Sequence, residues 1–248
     1  LLLLFAGPAS AQDMSGFEPS GEFEIELDDK PLEGVELFHS DRDGAYLIMA
    51  PPRKSPLLLN TRRRAVEAVS FMKVSKQDDG TIDLLKGAVY ETIGPFQTRH
   101  QSLVFQVKGQ KMTLKVKPAL LGTQSSSSLV EHNPGYGFKA GQYELDATQI
   151  DPLKSETRDV KVKIYFGTWC PVCSRLVPKV IKVAESLEGS KIDFEYYGLP
   201  RMMTDDPVTQ ELGIKGVPTG IVYVGGKEIG RLTGRELHKP EAAIKKVL

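Results

Sequence analysis

The residues best suited to chemistry in this sequence are two cysteines that lie close together. Cys170 and Cys173 are the only cysteines of the chain, and Pro171-Val172 separates them. Two sulfurs at this spacing can join as a disulfide and open again to two thiols, so the pair predicts a redox-active dithiol. A static structural disulfide is disfavoured, because closing so short a loop restrains the unfolded chain very little.

Other cysteine chemistries fit the sequence less well. A structural zinc ion needs four ligands, and the chain has two cysteines and four histidines. The histidines show no paired spacing: His39, His100, His132 and His238. The Thr-x-x-Cys arrangement of peroxidases is missing, since Thr168 lies only two residues before Cys170. The sequence therefore predicts no metal site and no cofactor.

The cysteine pair lies where a strand should end and a helix should begin. Val160–Phe166 has the pattern of an apolar strand, and Pro171–Leu187 that of a helix. One apolar stripe recurs at helical spacing: Val177, Val180, Ile181, Ala184 and Leu187. Unpaired N–H groups in a first helical turn favour negative charge, so this position stabilises a thiolate at Cys170. Cys173, one turn further on, should be less exposed and able to attack a mixed disulfide formed at Cys170.

Strands and helices continue to alternate toward the C-terminus. The expected elements are a strand at Ile192–Tyr197, a helix starting at Asp206-Pro207, a hairpin of Ile221–Val224 with Glu228–Leu232, and a helix at Pro240–Leu248. Proline is well placed in the first turn of a helix. The pattern predicts an α/β domain over residues 151–248.

Five spaced motifs follow one another in this region. They are Trp169-Cys170-x-x-Cys173, then Pro178, Gly216-Val217-Pro218-Thr219, Gly225-Gly226 and Gly234. In type and order they resemble the thioredoxin superfamily over about residues 155–248, roughly two fifths of the chain. With a domain added in front, the chain is similar to the exported thiol–disulfide oxidoreductases of the TlpA/ResA-like and Dsb-like groups. The resemblance implies an α/β thioredoxin fold at the C-terminus.

The resemblance also implies a role for each matching residue. Cys170 would be the nucleophile and Cys173 the resolving thiol. Trp169 would shield the disulfide and shape the substrate groove, while Val217-Pro218 would present backbone groups to a substrate strand. A cis bond before Pro218 is expected, and X–Pro bonds lose most of the usual preference for trans. The implied partners are substrate proteins with thiols or disulfides and an external thiol–disulfide electron partner.

One position departs from the family pattern. Many thioredoxins carry a buried acid six residues before the first cysteine, where it helps to deprotonate the resolving thiol. This chain has Ile164 there. Glu195, in a neighbouring strand, either substitutes through space or is a surface glutamate, and the surface assignment is favoured. Proton transfer at Cys173 is then expected to rely on water or to be slow.

The region in front of residue 150 has the pattern of a mainly β domain, assigned to residues 13–145. Leu103–Val107 and Met112–Val116 alternate as the two strands of a hairpin, and Glu33–His39 and Ala45–Met49 flank a turn in the same manner. Ser125–Ser128 is expected to be a flexible loop. The fold and the ligand of this domain are not specified by any motif.

Composition and the N-terminus indicate where the protein acts. The 248 residues carry 32 basic and 32 acidic side chains, so no overall field attracts nucleic acid. Residues 1–11, apolar and then small up to Ala9-Ser10-Ala11, have the pattern of the rear half of a signal peptide cleaved after Ala11. An uncleaved anchor is the alternative. The mature chain is expected to lack an integral membrane span and to be exported, to the periplasm or cell envelope if bacterial.

Two hypotheses of function follow. The first is an exported thiol–disulfide oxidoreductase that exchanges a Cys170–Cys173 disulfide with substrate thiols, as a reductase or isomerase. Pro171-Val172 matches neither the Gly-Pro of reducing thioredoxins nor the Pro-His of strong oxidases, and Val172 adds no positive charge. The second is a binding or adaptor protein whose N-terminal β domain recognises a protein or ligand, with the thioredoxin domain as scaffold.

Overall fold

A computed structural model describes residues 13–50 and 55–248. The chain divides into two compact units, and the division falls after Lys117. This position differs from the boundary expected near residue 150, because residues 118–154 pack with the C-terminal unit. The proposed signal segment, residues 1–11, lies outside the described residues.

The N-terminal unit is built from strands, as its alternating patterns predict. Its strands are β1 (Met14–Ser20), β2 (Phe23–Leu27), β3 (Lys30–Pro31), β4 (Glu36–Ser40), β5 (Ala45–Met49), β6 (Leu57–Asn60), β7 (Ala65–Val69), β8 (Val74–Lys76), β9 (Ile82–Leu84), β10 (Val89–Pro95), β11 (Gln97–Arg99), β12 (Ser102–Val107) and β13 (Gln110–Val116). A 3-10 turn spans Phe71–Lys73. The strands form one sheet ordered β10-β7-β6-β5-β4-β1-β9-β8 and another ordered β11-β12-β13-β2-β3.

Both hairpins expected from the sequence are confirmed in this unit. β4 pairs with β5, and β12 pairs with β13 in a register that sets Phe105 opposite Met112. The unit has two clusters of buried apolar side chains. Consecutive residues of β5 belong to different clusters: Leu47 packs in one and Ile48 in the other. Period-two alternation thus supplies both cores of the unit.

The C-terminal unit combines one sheet with six helices. Its strands are β14 (Gly122–Gln124), β15 (Val160–Phe166), β16 (Ile192–Gly198), β17 (Thr219–Val224) and β18 (Lys227–Leu232). Its helices are α1 (Ser126–His132), α2 (Gly135–Gly141), α3 (Ala147–Lys154), α4 (Cys173–Ser186), α5 (Pro207–Glu211) and α6 (Pro240–Val247). Two 3-10 turns span Met203–Asp205 and Glu236–His238.

The sheet of this unit has the order β14-β16-β15-β17-β18. β15 and β16 run parallel and are joined through α4, whereas β17 is antiparallel to β15 and forms a hairpin with β18. Both residues of the hairpin turn, Gly225 and Gly226, have positive φ, a conformation that glycine adopts without steric cost. The elements expected from Val160 to the C-terminus are therefore confirmed.

Three short helices, α1 to α3, were not predicted from the sequence. Ser125–Ser128, expected to be a loop, instead starts α1: the Ser125 side chain accepts the backbone N–H of Ser128 at 3.1 Å, as an N-cap does. Leu129 of α1, Ala140 of α2 and Ile150 of α3 are buried in the same core as α4. Burial against that core stabilises helices too short to form alone.

Within the described ranges, no helix is both long enough and apolar enough to cross a membrane.

Candidate functional site

The cysteine pair lies at the N-terminus of α4, immediately after the end of β15. The backbone N–H of Cys170 donates to the carbonyl of Gly167 at 3.0 Å, and the carbonyl of Cys170 accepts the N–H of Ser174 at 3.1 Å. Cys170 therefore lies in the turn that leads into the helix, while Cys173 is its first residue. Both cysteines are free thiols.

The sulfur of Cys170 has two backbone neighbours. The N–H of Cys173 donates to it at 3.4 Å, and its thiol donates to the carbonyl of Val217 at 3.6 Å. The residue is 7% exposed. A thiolate at this position would keep the N–H contact, because an N–H at a helix N-terminus favours negative charge.

Cys173 lies deeper, as the sequence predicts. It is fully buried among the apolar side chains of β15 and α4. Burial raises the pKa of the Cys173 thiol far above its ordinary value; a backbone contact with Gly167 acts in the opposite direction, and the neighbouring Cys170 raises it again. Cys173 is therefore a thiol near neutral pH and must lose its proton before it can attack.

Trp169, the residue before Cys170, is held in place by two contacts. Its indole N–H donates to the carbonyl of Leu199, just beyond β16, at 2.8 Å. The guanidinium carbon of Arg201 lies 5.9 Å from the ring centroid, within the range of a cation–π contact. Sequence reasoning named Trp169 but not these two partners, which come from a segment thirty residues away.

The segment before β17 closes the other side of the site. The bond between Val217 and Pro218 is cis, as the resemblance implies. The Thr219 hydroxyl donates to the carbonyl of Gly216 at 2.7 Å and closes the turn around this bond. The site thus brings together Cys170, Cys173 and Val217, with Trp169 as its rim.

Glu195 does not take the place of the missing acid. Lys163 pairs with Glu195 across β15 and β16, with Nζ 2.5 Å from the carboxylate. Ile164, the next residue of β15, is fully buried in the core that holds both cysteines. Because successive residues of a strand face opposite sides, Glu195 faces away from Cys173. Lys161 is a second partner of Glu195, with its Nζ 3.4 Å from the carboxylate.

One buried residue near the cysteines was missed as a site residue. Tyr136 of α2 is 2% exposed and packs in the same core cluster as both cysteines. It lies in a run of turn formers, between Gly135 and Gly137, a composition typical of a loop. An aromatic residue in a glycine-rich segment was the one available signal, and it does not specify a contact with residues thirty-four or more positions away.

The fold and the site together define a class of protein: a dithiol at a helix N-terminus, facing a cis-proline turn, on a mixed five-stranded sheet. A thioredoxin family model matches residues 147–248. Thioredoxin-2 of Saccharomyces cerevisiae is 31% identical over 102 residues, which cover 41% of this chain and 89% of the relative. The chain belongs to the thioredoxin family through this region.

Two further similarities lie in the same family. The chloroplastic F-type thioredoxin of Mesembryanthemum crystallinum is 32% identical over 102 residues, 41% of this chain and 51% of the relative. The chain thus spans about half the length of that relative. The crystal structure of Chlamydomonas reinhardtii thioredoxin f2 is similar at 21% identity and a TM-score of 0.31, over 39% of this chain and 85% of that one.

Proposed function

We propose that this protein is a thiol–disulfide oxidoreductase that exchanges a Cys170–Cys173 disulfide with thiols of substrate proteins. The observation that carries the proposal is the placement of two free thiols at the start of α4, with the sulfur of Cys170 3.4 Å from the N–H of Cys173 and 3.6 Å from the carbonyl of Val217. The more exposed sulfur can attack first, and the buried one can then resolve.

In the reducing direction, the thiolate of Cys170 attacks one sulfur of a substrate disulfide. The substrate S–S bond breaks, a mixed disulfide forms, and the first substrate thiol leaves. Cys173 then loses its proton and attacks the sulfur of Cys170, which releases the second substrate thiol and closes the Cys170–Cys173 disulfide. The substrate gains two electrons and two protons, so an external thiol–disulfide partner must reduce the protein again.

Substrate recognition is proposed to use backbone groups beside the cysteine. The carbonyl of Val217, in the bend before β17, lies 3.6 Å from the sulfur of Cys170, and an extended substrate segment is proposed to pair with the backbone there, as one more strand does. Trp169 lies at the rim of the site, and Val172 and Met202 are apolar side chains that remain exposed. The proposed substrates are therefore unfolded or extended protein segments that contain a cysteine.

The direction of exchange is proposed to be reductive or isomerising. Strong oxidants owe their potential to a reduced form that is strongly stabilised. Here the dipeptide between the cysteines, Pro171-Val172, adds no positive charge beside the Cys170 sulfur. The lack of charge on this dipeptide favours a stable disulfide and a reducing dithiol.

We expect the equilibrium potential of the Cys170–Cys173 couple to lie closer to about −270 mV, the value of a reducing thioredoxin, than to about −120 mV, that of a strong oxidant. Equilibration in graded dithiothreitol buffers, followed by alkylation and mass spectrometry, measures it. A couple at the oxidising end would contradict the proposed direction but not the exchange chemistry.

Export is proposed on the sequence alone. Residues 1–11 have a signal-peptide pattern ending in Ala9-Ser10-Ala11. Disulfides persist in compartments outside the cytosol. Substrate proteins there would carry disulfides that a reductase or isomerase can act on.

A Cys173→Ser variant should trap substrates on Cys170. The first attack is retained, but the resolving thiol is missing, so mixed disulfides accumulate and survive denaturing electrophoresis without reductant. The trapped proteins should be released by dithiothreitol. The matched control is the double variant Cys170→Ser, Cys173→Ser, which should trap nothing. An empty trap with the single variant, under conditions where the parent reduces insulin, would contradict the assigned order of attack.

A further inference from the structure

The hydroxyl of Tyr136 is an orphan in the core next to the cysteines. The residue is 2% exposed, and among the described residues its oxygen has no hydrogen-bond partner. Leaving a buried hydroxyl unpaired costs free energy, so such groups are rare and call for an explanation. Phenylalanine would fill the same apolar space without that cost.

The position of Tyr136 relates it to the two sulfurs. α2 packs directly against α4, and Tyr136 shares its core cluster with Cys170 and Cys173. Burial raises the pKa of Tyr136, and negative charge on Cys173 and then on Cys170 raises it further. The two cysteines are therefore the ionisable groups close enough to act on this phenol.

Other ionisable side chains lie on the elements packed around this core. They include His132 of α1, Lys139 of α2, Lys179 of α4, Tyr196 of β16, Glu241 of α6, and Tyr143, which follows α2. The charged groups that raise the pKa of Tyr136 are the two cysteines. Lys179 donates to the carbonyl of His238 at 3.1 Å, and Glu241 accepts from the Tyr143 hydroxyl at 2.9 Å.

Cys173 needs a polar partner at the step in which it acts. It is fully buried, Ile164 occupies the position of the family's acid, and Glu195 is paired with Lys163 on the other face of the sheet. The contacts that favour the Cys173 thiolate come from backbone groups of Gly167 and of Cys173 itself, and a thiolate in an apolar core without a side-chain donor is still disfavoured. In the described part of this core, Tyr136 is the one buried hydroxyl that lacks a hydrogen-bond partner and whose pKa is raised by charge on Cys173.

We propose that the Tyr136 hydroxyl donates a hydrogen bond to the sulfur of Cys173 as that sulfur becomes a thiolate. The inference rests on the proposed function, since it concerns the resolving step. The mixed disulfide between Cys170 and the substrate reacts with the Cys173 thiol to give the Cys170–Cys173 disulfide and a free substrate thiol. The proton lost by Cys173 passes through solvent to the departing substrate thiolate.

Tyr136 stays protonated throughout this step. Burial and the nearby thiolates both disfavour a phenolate, so the phenol serves as a donor and not as a base. Its effect is to make deprotonation of Cys173 easier, because hydrogen bonds to charged groups are stronger than those between neutral groups. The donor comes from α2, which lies outside the residues 147–248 matched by the thioredoxin model.

The test compares Tyr136→Phe with Tyr196→Phe. Tyr196 is a matched control, since it is 1% exposed in the same core and its hydroxyl also lacks a partner among the described residues, but neither cysteine acts on its pKa. Reduced protein is mixed with dithionitrobenzoate at pH 6 to 9.5. A first burst of thionitrobenzoate reports attack by Cys170, and a second, first-order release reports attack by Cys173.

We expect Tyr136→Phe to leave the first phase unchanged and to slow the second roughly tenfold, the effect of raising the pKa of Cys173 by one unit. The slowing should be constant with pH as long as Cys173 is mostly protonated. Tyr196→Phe should change the second phase less than twofold. An unchanged second phase in Tyr136→Phe, or equal slowing in both variants, overturns the inference. A parent protein without a second phase would instead overturn the proposed function itself.

Discussion

Replacing Cys170 with serine is expected to reduce disulfide exchange to the rate of the buffer alone. A serine hydroxyl neither ionises in this pH range nor forms a disulfide, so both the attack and the mixed disulfide are lost. The change is nearly isosteric at a residue that is 7% exposed, so the fold should be retained. Insulin reduction with dithiothreitol, followed by turbidity, measures the activity.

Arg175→Lys is the matched control for this variant. Arg175 lies on the exposed side of the first turn of α4, and lysine keeps its positive charge. Its activity should stay within about threefold of the parent, because the two sulfurs and their backbone contacts are unchanged. If Cys170→Ser retained substantial activity, Cys170 would not be the attacking group. The binding hypothesis for the N-terminal unit would then gain weight, and deletion of that unit would test it.

Four strands of the C-terminal sheet, β15 to β18, could be predicted from the sequence because each of them is specified locally. Val160–Phe166 is a continuous run that becomes β15, and the stripe through Val177 and Ile181 fixes the buried face of α4. The turn at Gly225-Gly226 places the hairpin without reference to the rest of the fold. Periodicity and turn chemistry act over a few residues, so one sequence is enough to detect them.

The helices between residues 118 and 154 could not be predicted in this way. α1 and α2 have seven residues each, about two turns, which is too short for a periodic stripe. The serine run at the start of α1 is compatible with both a loop and a capped helix. The burial of Leu129 and Tyr136 in the core of the unit favours the helices over a loop. The residues they pack against are distant in the sequence, so a local pattern does not show these contacts.

The same distinction separates the parts of the candidate site. Cys170 and Cys173 lie three residues apart along the chain, so their spacing alone indicates the chemistry. The partner of Cys173 depends on which strand neighbour faces it, and a shift of one residue exchanges the two faces of a strand. Glu195 was considered for that reason, and its pairing with Lys163 excludes it. Tyr136 was reached only from the packing of α2 on α4.

The largest expected effect on stability comes from Gly198, the last residue of β16. A Cβ built at this position would lie 2.1 Å from the carbonyl oxygen of Leu120 and 2.7 Å from its carbonyl carbon. Both are backbone atoms, so no side chain can rotate away, and β14 would have to separate from β16. We expect Gly198→Ala to cost about 3 kcal/mol, the upper end for overpacking.

The same change should reach the redox site through the neighbouring residue. The carbonyl of Leu199 accepts the indole N–H of Trp169 at 2.8 Å, so a shift of the chain at Gly198 weakens the contact that holds the tryptophan. Trp169 is the only tryptophan of the sequence, and its fluorescence therefore reports this site alone. The emission of the folded Gly198→Ala protein should move toward that of an exposed indole.

Thermal unfolding of reduced protein measures the stability effect, and Gly141→Ala provides the control. Gly141 is exposed at the end of α2, and nothing lies within 4 Å of a Cβ built there. Alanine is the better helix former, so this variant should be neutral or slightly more stable. Gly198→Ala should unfold about 10 °C lower, given a few degrees per kcal/mol for a unit of this size. Unfolding within about 1 °C of the parent would show that the segment at Leu120 does not approach β16 so closely in solution. The position of Trp169 would then not depend on the packing at Gly198.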